Sequence, residues 1–264
     1  MKIWLDGALT ESSQVHLSAS SLGLTCGLGV FETLSGEAGF CFKSEQHFAR
    51  LREGARRLDL SPPEDQVLTC GIQECLEANE LTKSSARVRV TLLAGDDTGT
   101  RTMISAVPYE RPTGSLRLGV SSFRRNSQSA TAGIKCVSYA ESILALRKAQ
   151  GAGYDECLMF NEHGNVCECA TANVFLCDQQ GWFTPPVKSG CLPGVMRSAV
   201  LGVWKECGER DLASARLGEI TAAFVTNSLR GVQIVKELDG CGLDTEGVEV
   251  LELQRQILHA MRSE

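Results

Sequence analysis

Two prolines and a glycine fall within seven residues, Pro108-Tyr109-Glu110-Arg111-Pro112-Thr113-Gly114. Proline lacks the N–H that a helix interior or inner strand must donate, and it pushes the preceding residue out of the helical region. No regular element can run through this stretch, so each side must build its own core. At 264 residues and 43% hydrophobic, the chain has enough apolar surface for two such cores. The expected class is α+β, with a smaller domain over 1–110 and a larger one over 111–264.

In the first part, Leu5 to Leu9 reads as a strand turning at Asp6-Gly7. The β-branched and aromatic run Val30–Leu34 is expected to return as Gly39–Lys43 across a Ser35-Gly36-Glu37 turn. Ser44 reads as the N-cap of a helix on which Phe48, Leu51, Ala55 and Leu58 share a face. Pro62-Pro63 ends it, and a second helix spans Glu64–Ala78. Arg87–Leu93 alternates as a half-buried strand, and Met103–Val107 pairs with it across the polar loop Gly95–Arg101.

In the second part, strand Leu116–Phe123 leads into a polar loop, Arg124–Gly133. Helix Tyr139–Gln150 is closed by Gly151 and Gly153. Strands Glu156–Phe160, Val166–Cys169, Asn173–Cys177 and Trp182–Thr184 follow, then helix Gly194–Cys207, strand Ala222–Thr226 and helix Glu249–Met261. No internal repeat occurs.

The net charge of −6 and pI near 5.4 argue against nucleic acid or an anionic membrane surface as partner, since both demand a positive patch. No apolar run approaches the roughly 20 residues of a membrane span. Asp6 comes too early for a signal-peptide core, so a cytoplasmic protein is expected. Twelve cysteines include no C-x-x-C, and none of the four histidines stands at zinc-ligand spacing with a cysteine pair. Mostly buried thiols in a reducing compartment, and no metal site, are the expectation.

Four stretches carry chemistry. Gly133-Ile134-Lys135-Cys136 offers an amine that could form a Schiff base if burial or a nearby cation strips its charge. Glu168 lies in Val166-Cys167-Glu168-Cys169-Ala170-Thr171, where a carboxylate is costly to bury without a cationic partner such as a protonated ring nitrogen. Taken alone, Lys135 reads more readily as a solvated loop residue, and composition leaves Glu168 open to being an edge-strand glutamate facing water. Gly190-Cys191-Leu192-Pro193-Gly194-Val195-Met196-Arg197 opens a helix whose free N-terminal amides suit a phosphate, and Thr226-Asn227-Ser228 ends a strand with further polar groups.

These motifs, with Gly29-Val30-Phe31-Glu32-Thr33-Leu34, His47-Phe48-Ala49-Arg50-Leu51, Gly153-Tyr154-Asp155-Glu156 and Gly164–Phe175, run in the order found in a known family. The chain resembles the class IV, fold-type IV pyridoxal phosphate (PLP) enzymes, which include branched-chain and D-amino acid aminotransferases and 4-amino-4-deoxychorismate lyase. The resemblance implies a small α/β N-terminal domain, a larger C-terminal pseudo-barrel domain carrying the PLP lysine, a cofactor cleft and a homodimer. It implies Lys135 as Schiff-base lysine and proton shuttle, and Glu168 on the pyridine nitrogen. Arg50, the Val195 and Met196 amides, Asn227 and Ser228 would hold the cofactor around its phosphate.

Phe31-Glu32-Thr33-Leu34 looks closest to the lyase branch, with Thr33 near the cofactor. That branch releases pyruvate and 4-aminobenzoate, a folate precursor. The alternative is an aminotransferase acting on D-amino acids, branched-chain amino acids or (R)-amines with a 2-oxo acid. Two features depart from the lyase pattern: Ser35 stands where many lyases have arginine, and the loop 95–101 has a single arginine. A dicarboxylate needs cationic partners, for which Arg101, Arg124 and Arg125 are the candidates.

Overall fold

The computed structural model describes residues 1–96 and 99–263. Asp97 and Thr98 of the expected substrate loop lie outside the described residues. The chain divides into two compact units between Arg111 and Pro112. Ile134–Ser138, with Lys135, groups with the first unit, as do residues 261–263.

The first unit contains β1 (Lys2–Leu5), β2 (Ala8–Glu11), α1 (Leu22–Thr25), β3 (Gly29–Glu37), β4 (Phe40–Cys41), α2 (Ser44–Arg57), α3 (Asp65–Ala78), β5 (Ala86–Ala94) and β6 (Thr100–Pro108). The strands form an antiparallel sheet in the order β2-β1-β6-β5-β3-β4. Side chains alternate across it. Val30, Leu34, Val88, Val90, Leu92, Ile104 and Ala106 bury one face against Phe48, Leu51 and Ala55 of α2 and Leu68, Ile72 and Leu76 of α3. Each of the valine, leucine, isoleucine and phenylalanine side chains among them contributes about 1.5–3 kcal/mol by leaving water. Asn79, just past α3, fixes β1 by accepting from the Lys2 N–H and donating to the Lys2 carbonyl, both at 2.9 Å.

Two local expectations change. The β3–β4 turn falls at Ala38-Gly39, not at Ser35-Gly36-Glu37, because its two central residues take φ of +48° and +90°. Gly36 stays extended, paired with both Cys41 and Ala86. At α2, Ser44 is the first helical residue; the cap position belongs to Lys43, left-handed at φ 51°, with no side-chain cap.

The second unit contains β7 (Leu116–Arg125), α4 (Ala140–Gly151), β8 (Glu156–Asn161), β9 (Val166–Cys169), β10 (Asn173–Asp178), β11 (Gly181–Thr184), α5 (Val195–Val203), β12 (Gly208–Glu209), β13 (Ala222–Asn227), β14 (Gly231–Leu238), β15 (Cys241–Gly242) and most of α6 (Val248–Ser263). Its sheet runs β12-β11-β10-β13-β14-β7-β8-β9, with β15 on β14. β7 pairs in parallel with both β14 and β8. Val174, Leu176, Ala223 and Val225 contribute to an apolar core on one face of the sheet, and on the other face Phe175 of β10 stacks on Phe224 of β13 at 4.6 Å. Arg124 and Arg125 end strand β7; they are not in a loop. Among the described residues, no helix is long and apolar enough to cross a membrane.

Candidate active site

In the first unit, the backbone of 134–138 lies along the start of β3. The Phe31 N–H donates to the Lys135 carbonyl at 2.9 Å, the Val137 N–H donates to the Gly29 carbonyl at 2.8 Å, and Cys136 bridges to Val30. Gly133 turns the chain into this segment at φ +73°. Opposite, Gly54 of α2 leaves room for Ile134: an added Cβ would meet its Cγ2 at 3.2 Å.

Lys135 sits half-buried with its Nζ 4.6 Å from the centre of the Phe31 ring. The same ring holds the Arg89 guanidinium at 3.7 Å, and the Arg89 Nε donates to Thr91 Oγ1 at 3.2 Å. Phe31 and Thr33 lie opposite Thr91 and Arg89 across β3 and β5, on the face away from the apolar core. Arg89 belongs to none of the motifs that carry the family resemblance. Its signal was the alternation itself: with Val88, Val90 and Leu92 in the core, Arg89 and Thr91 must share the other face with Phe31 and Thr33.

Glu32 points to the core side and is fully buried. Arg50 donates to it in a bidentate pair, Nε to Oε1 and Nη2 to Oε2, each at 2.7 Å. The His47 Nδ1 completes the set at 2.6 Å from Oε2. Burial would raise the Glu32 pKa, but the Arg50 charge and hydrogen bonds, with those of His47, outweigh it and hold it at about 2. Burial, aided by Arg50 and Lys135, keeps His47 below its usual 6.5 despite the pull of Glu32. His47 is thus a neutral donor to a carboxylate.

In the second unit, Glu168 is buried on the edge strand β9 at 8% exposure, which answers the water-facing alternative. Its Oε1 accepts from Arg125 Nε and its Oε2 from the Leu192 N–H, both at 3.0 Å. Arg125 also reaches Glu141 at 3.0 Å and Ser142 at 2.7 Å. Tyr139 donates to the Ala170 carbonyl at 3.0 Å, and burial, then the Glu168 charge, pushes its phenol up to about 12.

Gly194 caps α5 with no side-chain cap, so the first amides of that helix, Val195 and Met196 among them, have no intrahelical acceptor. A Cβ at Gly194 would fall 2.0 Å from Asn173 Oδ1, which forces glycine here although its φ is an ordinary −66°. α5 packs against β13. At the end of that strand the Thr226 hydroxyl is buried without a hydrogen-bond partner. The Asn227 amide oxygen accepts from the N–H groups of Leu229 and Arg230, at 3.1 and 2.8 Å, fixing the turn that contains Ser228.

The remaining arginine candidates have protein partners. Arg101 is ion-paired with Asp6, and Arg124 donates to the Asn161 carbonyl at 3.2 Å. Among the described residues, no cluster of His, Cys, Asp or Glu could hold a metal ion.

The mixed α/β architecture is that of the fold-type IV PLP enzymes. It matches the branched-chain aminotransferase of Thermoproteus uzoniensis, solved with norvaline, at a TM-score of 0.92 and 24% identity, over 100% of this chain and 96% of that one. A Legionella pneumophila protein assigned by its name to 4-amino-4-deoxychorismate lyase matches at 0.86 and 22% identity, over 94% and 97% of the two chains. The Salmonella typhimurium branched-chain-amino-acid aminotransferase is 27% identical over 265 residues, covering 90% of this chain and 85% of its own. The amino-transferase class IV family model matches residues 29–238. The chain belongs to that family, whose members are PLP-dependent enzymes acting on small molecules.

Proposed function

We propose that this protein is a PLP-dependent aminotransferase that exchanges an amino group between an aliphatic amino acid and a 2-oxo acid. The observation that carries the choice is the state of the arginines. Arg101, Arg124 and Arg125, the candidates for a dicarboxylate, are tied to Asp6, the Asn161 carbonyl and Glu168, whereas Arg89 lies over the same Phe31 ring as the Lys135 Nζ. One guanidinium suits one substrate carboxylate. The names of the Thermoproteus and Salmonella relatives support the same reading.

The residues fit the cofactor on two grounds. The buried Thr226 hydroxyl lacks a partner beside the uncapped start of α5, as an absent anion would leave it. The buried Glu168 carboxylate is held in place by Arg125 and the Leu192 amide. Arg50, the Val195 and Met196 amides and Ser228 would hold the phosphate, and Asn227 would set the Ser228 turn. Glu168 would pair with the ring nitrogen. When bound, PLP supplies an electron-withdrawing ring that acidifies the substrate's α-C–H bond. Lys135 takes and returns that proton at its Nζ, which the β3 pairing holds over Phe31. Arg89 binds the substrate carboxylate, and Thr33, on the same sheet face, offers its hydroxyl to the reacting groups.

Cofactor binding is tested by a visible absorption band that appears with PLP, vanishes on borohydride reduction and is absent from Lys135→Ala. No band in the wild type would sink the proposal. Amino transfer from L-leucine or L-valine to 2-oxoglutarate is the expected activity. A second reading, the lyase, is supported by Thr33 and by the Legionella fold match. Release of 4-aminobenzoate and pyruvate from aminodeoxychorismate, without amino transfer, would replace the first reading by the second.

A further inference from the structure

A carboxylate buried to zero exposure is expensive, costing several kcal/mol unless its partners are well placed. Glu32 sits among leucines and valines on the core face of β3, where an apolar residue would be cheaper. Its partners, His47 and Arg50, stand three residues apart and so share one face of α2. Arg50 commits its Nε and Nη2 edge to Glu32, and its side chain is 12% exposed. The cluster is close enough to Lys135 for that lysine's charge to act on His47.

We infer that Glu32 is a positioning residue that locks Arg50 in the orientation needed to bind the cofactor's phosphate before the cofactor arrives. This rests on the reading above that Arg50 is a phosphate ligand. An arginine on a helix surface samples many rotamers, and ordering it costs side-chain entropy. The bidentate grip of Glu32, itself held by the neutral His47, meets that cost during folding, so none of it is charged against binding. The neutral side chain of glutamine cannot do this, since its NH2 group would face an Arg50 donor.

The test compares PLP with pyridoxal, which lacks the phosphate, by titrating cofactor-free protein and following absorbance. The wild type should prefer PLP strongly. In Glu32→Gln that preference should shrink by about tenfold or more, the scale of one charge-assisted hydrogen bond, with pyridoxal affinity unchanged. In an Arg50→Gln background the further change Glu32→Gln should have no effect on the preference. A purely structural Glu32 would weaken both ligands alike, or act independently of Arg50, and either result overturns the inference. If Glu32→Gln does not fold, Glu32→Asp keeps the charge but withdraws the carboxylate by one methylene. It should fold and still lose the preference, and an intact preference overturns the inference. If the wild type binds neither ligand, the proposed function fails and this inference with it. If the wild type prefers PLP and Glu32→Gln keeps that preference, only this inference fails.

Discussion

At the scale of single residues, charge is placed where burial makes it count. Glu32 and His47 give the protein a defined acid response. The Glu32 pKa lies at about 2, against 4.5 for the free side chain. Stability from this group is complete above 4.5 and is lost as pH falls toward 2, a contribution of about 3 kcal/mol at 1.4 per pH unit. His47 is held below 6.5, so it too favours the folded state at higher pH; its share starts to fall below 6.5, when the unfolded chain takes up the proton. Denaturant unfolding should show stability declining from pH 6.5 downward, most steeply below 4.5, and the lower branch should flatten in Glu32→Gln. A flat profile between pH 6.5 and 3 would contradict the buried pair.

At the scale of elements, glycines set how closely helices approach sheets. Gly71 of α3 lies against β1, and an added Cβ would meet the Trp4 ring at 2.8 Å and Ile104 Cδ1 at 2.9 Å. Alanine gains about 1 kcal/mol of helix propensity, but overpacking a rigid indole costs about 1–3 kcal/mol. Gly71→Ala should therefore lower the thermal midpoint; a rise would show that Trp4 can move aside. Elements of this kind were largely legible from period and punctuation, as with the face of α2 and the alternation of β5. What escaped depended on partners distant in sequence. β14, which lies between β13 and β7, has no clean alternation in its sequence, because Gln233 is buried within its apolar run. Arg124 and Arg125 looked like loop residues because polar side chains hide a strand end that β8 pairs. Lys135, Glu168 and Arg50 were reached through family motifs. The alternation of β5 marks the face that Arg89 takes, but its place beside Phe31 needs the β3–β5 register, and the Glu32 cluster needs burial as well, which no local pattern in the sequence supplies.

At the scale of the whole molecule, the cofactor should act as a fold stabiliser. A ligand that binds only the folded chain at one hundred times its dissociation constant adds about 2.7 kcal/mol. Thermal unfolding of the wild type should shift upward with PLP, and Lys135→Ala should show a smaller shift; equal shifts would place binding away from the lysine. The pairing of 134–138 with β3 has a consequence for biosynthesis. The first 111 residues leave the ribosome with the Phe31 N–H and the Gly29 carbonyl still lacking their partners, Lys135 and Val137. An open strand edge invites pairing with other chains, and nascent domains tend to fold in order of synthesis. Only when residue 138 emerges can the early half close that edge, and the segment that closes it carries Lys135.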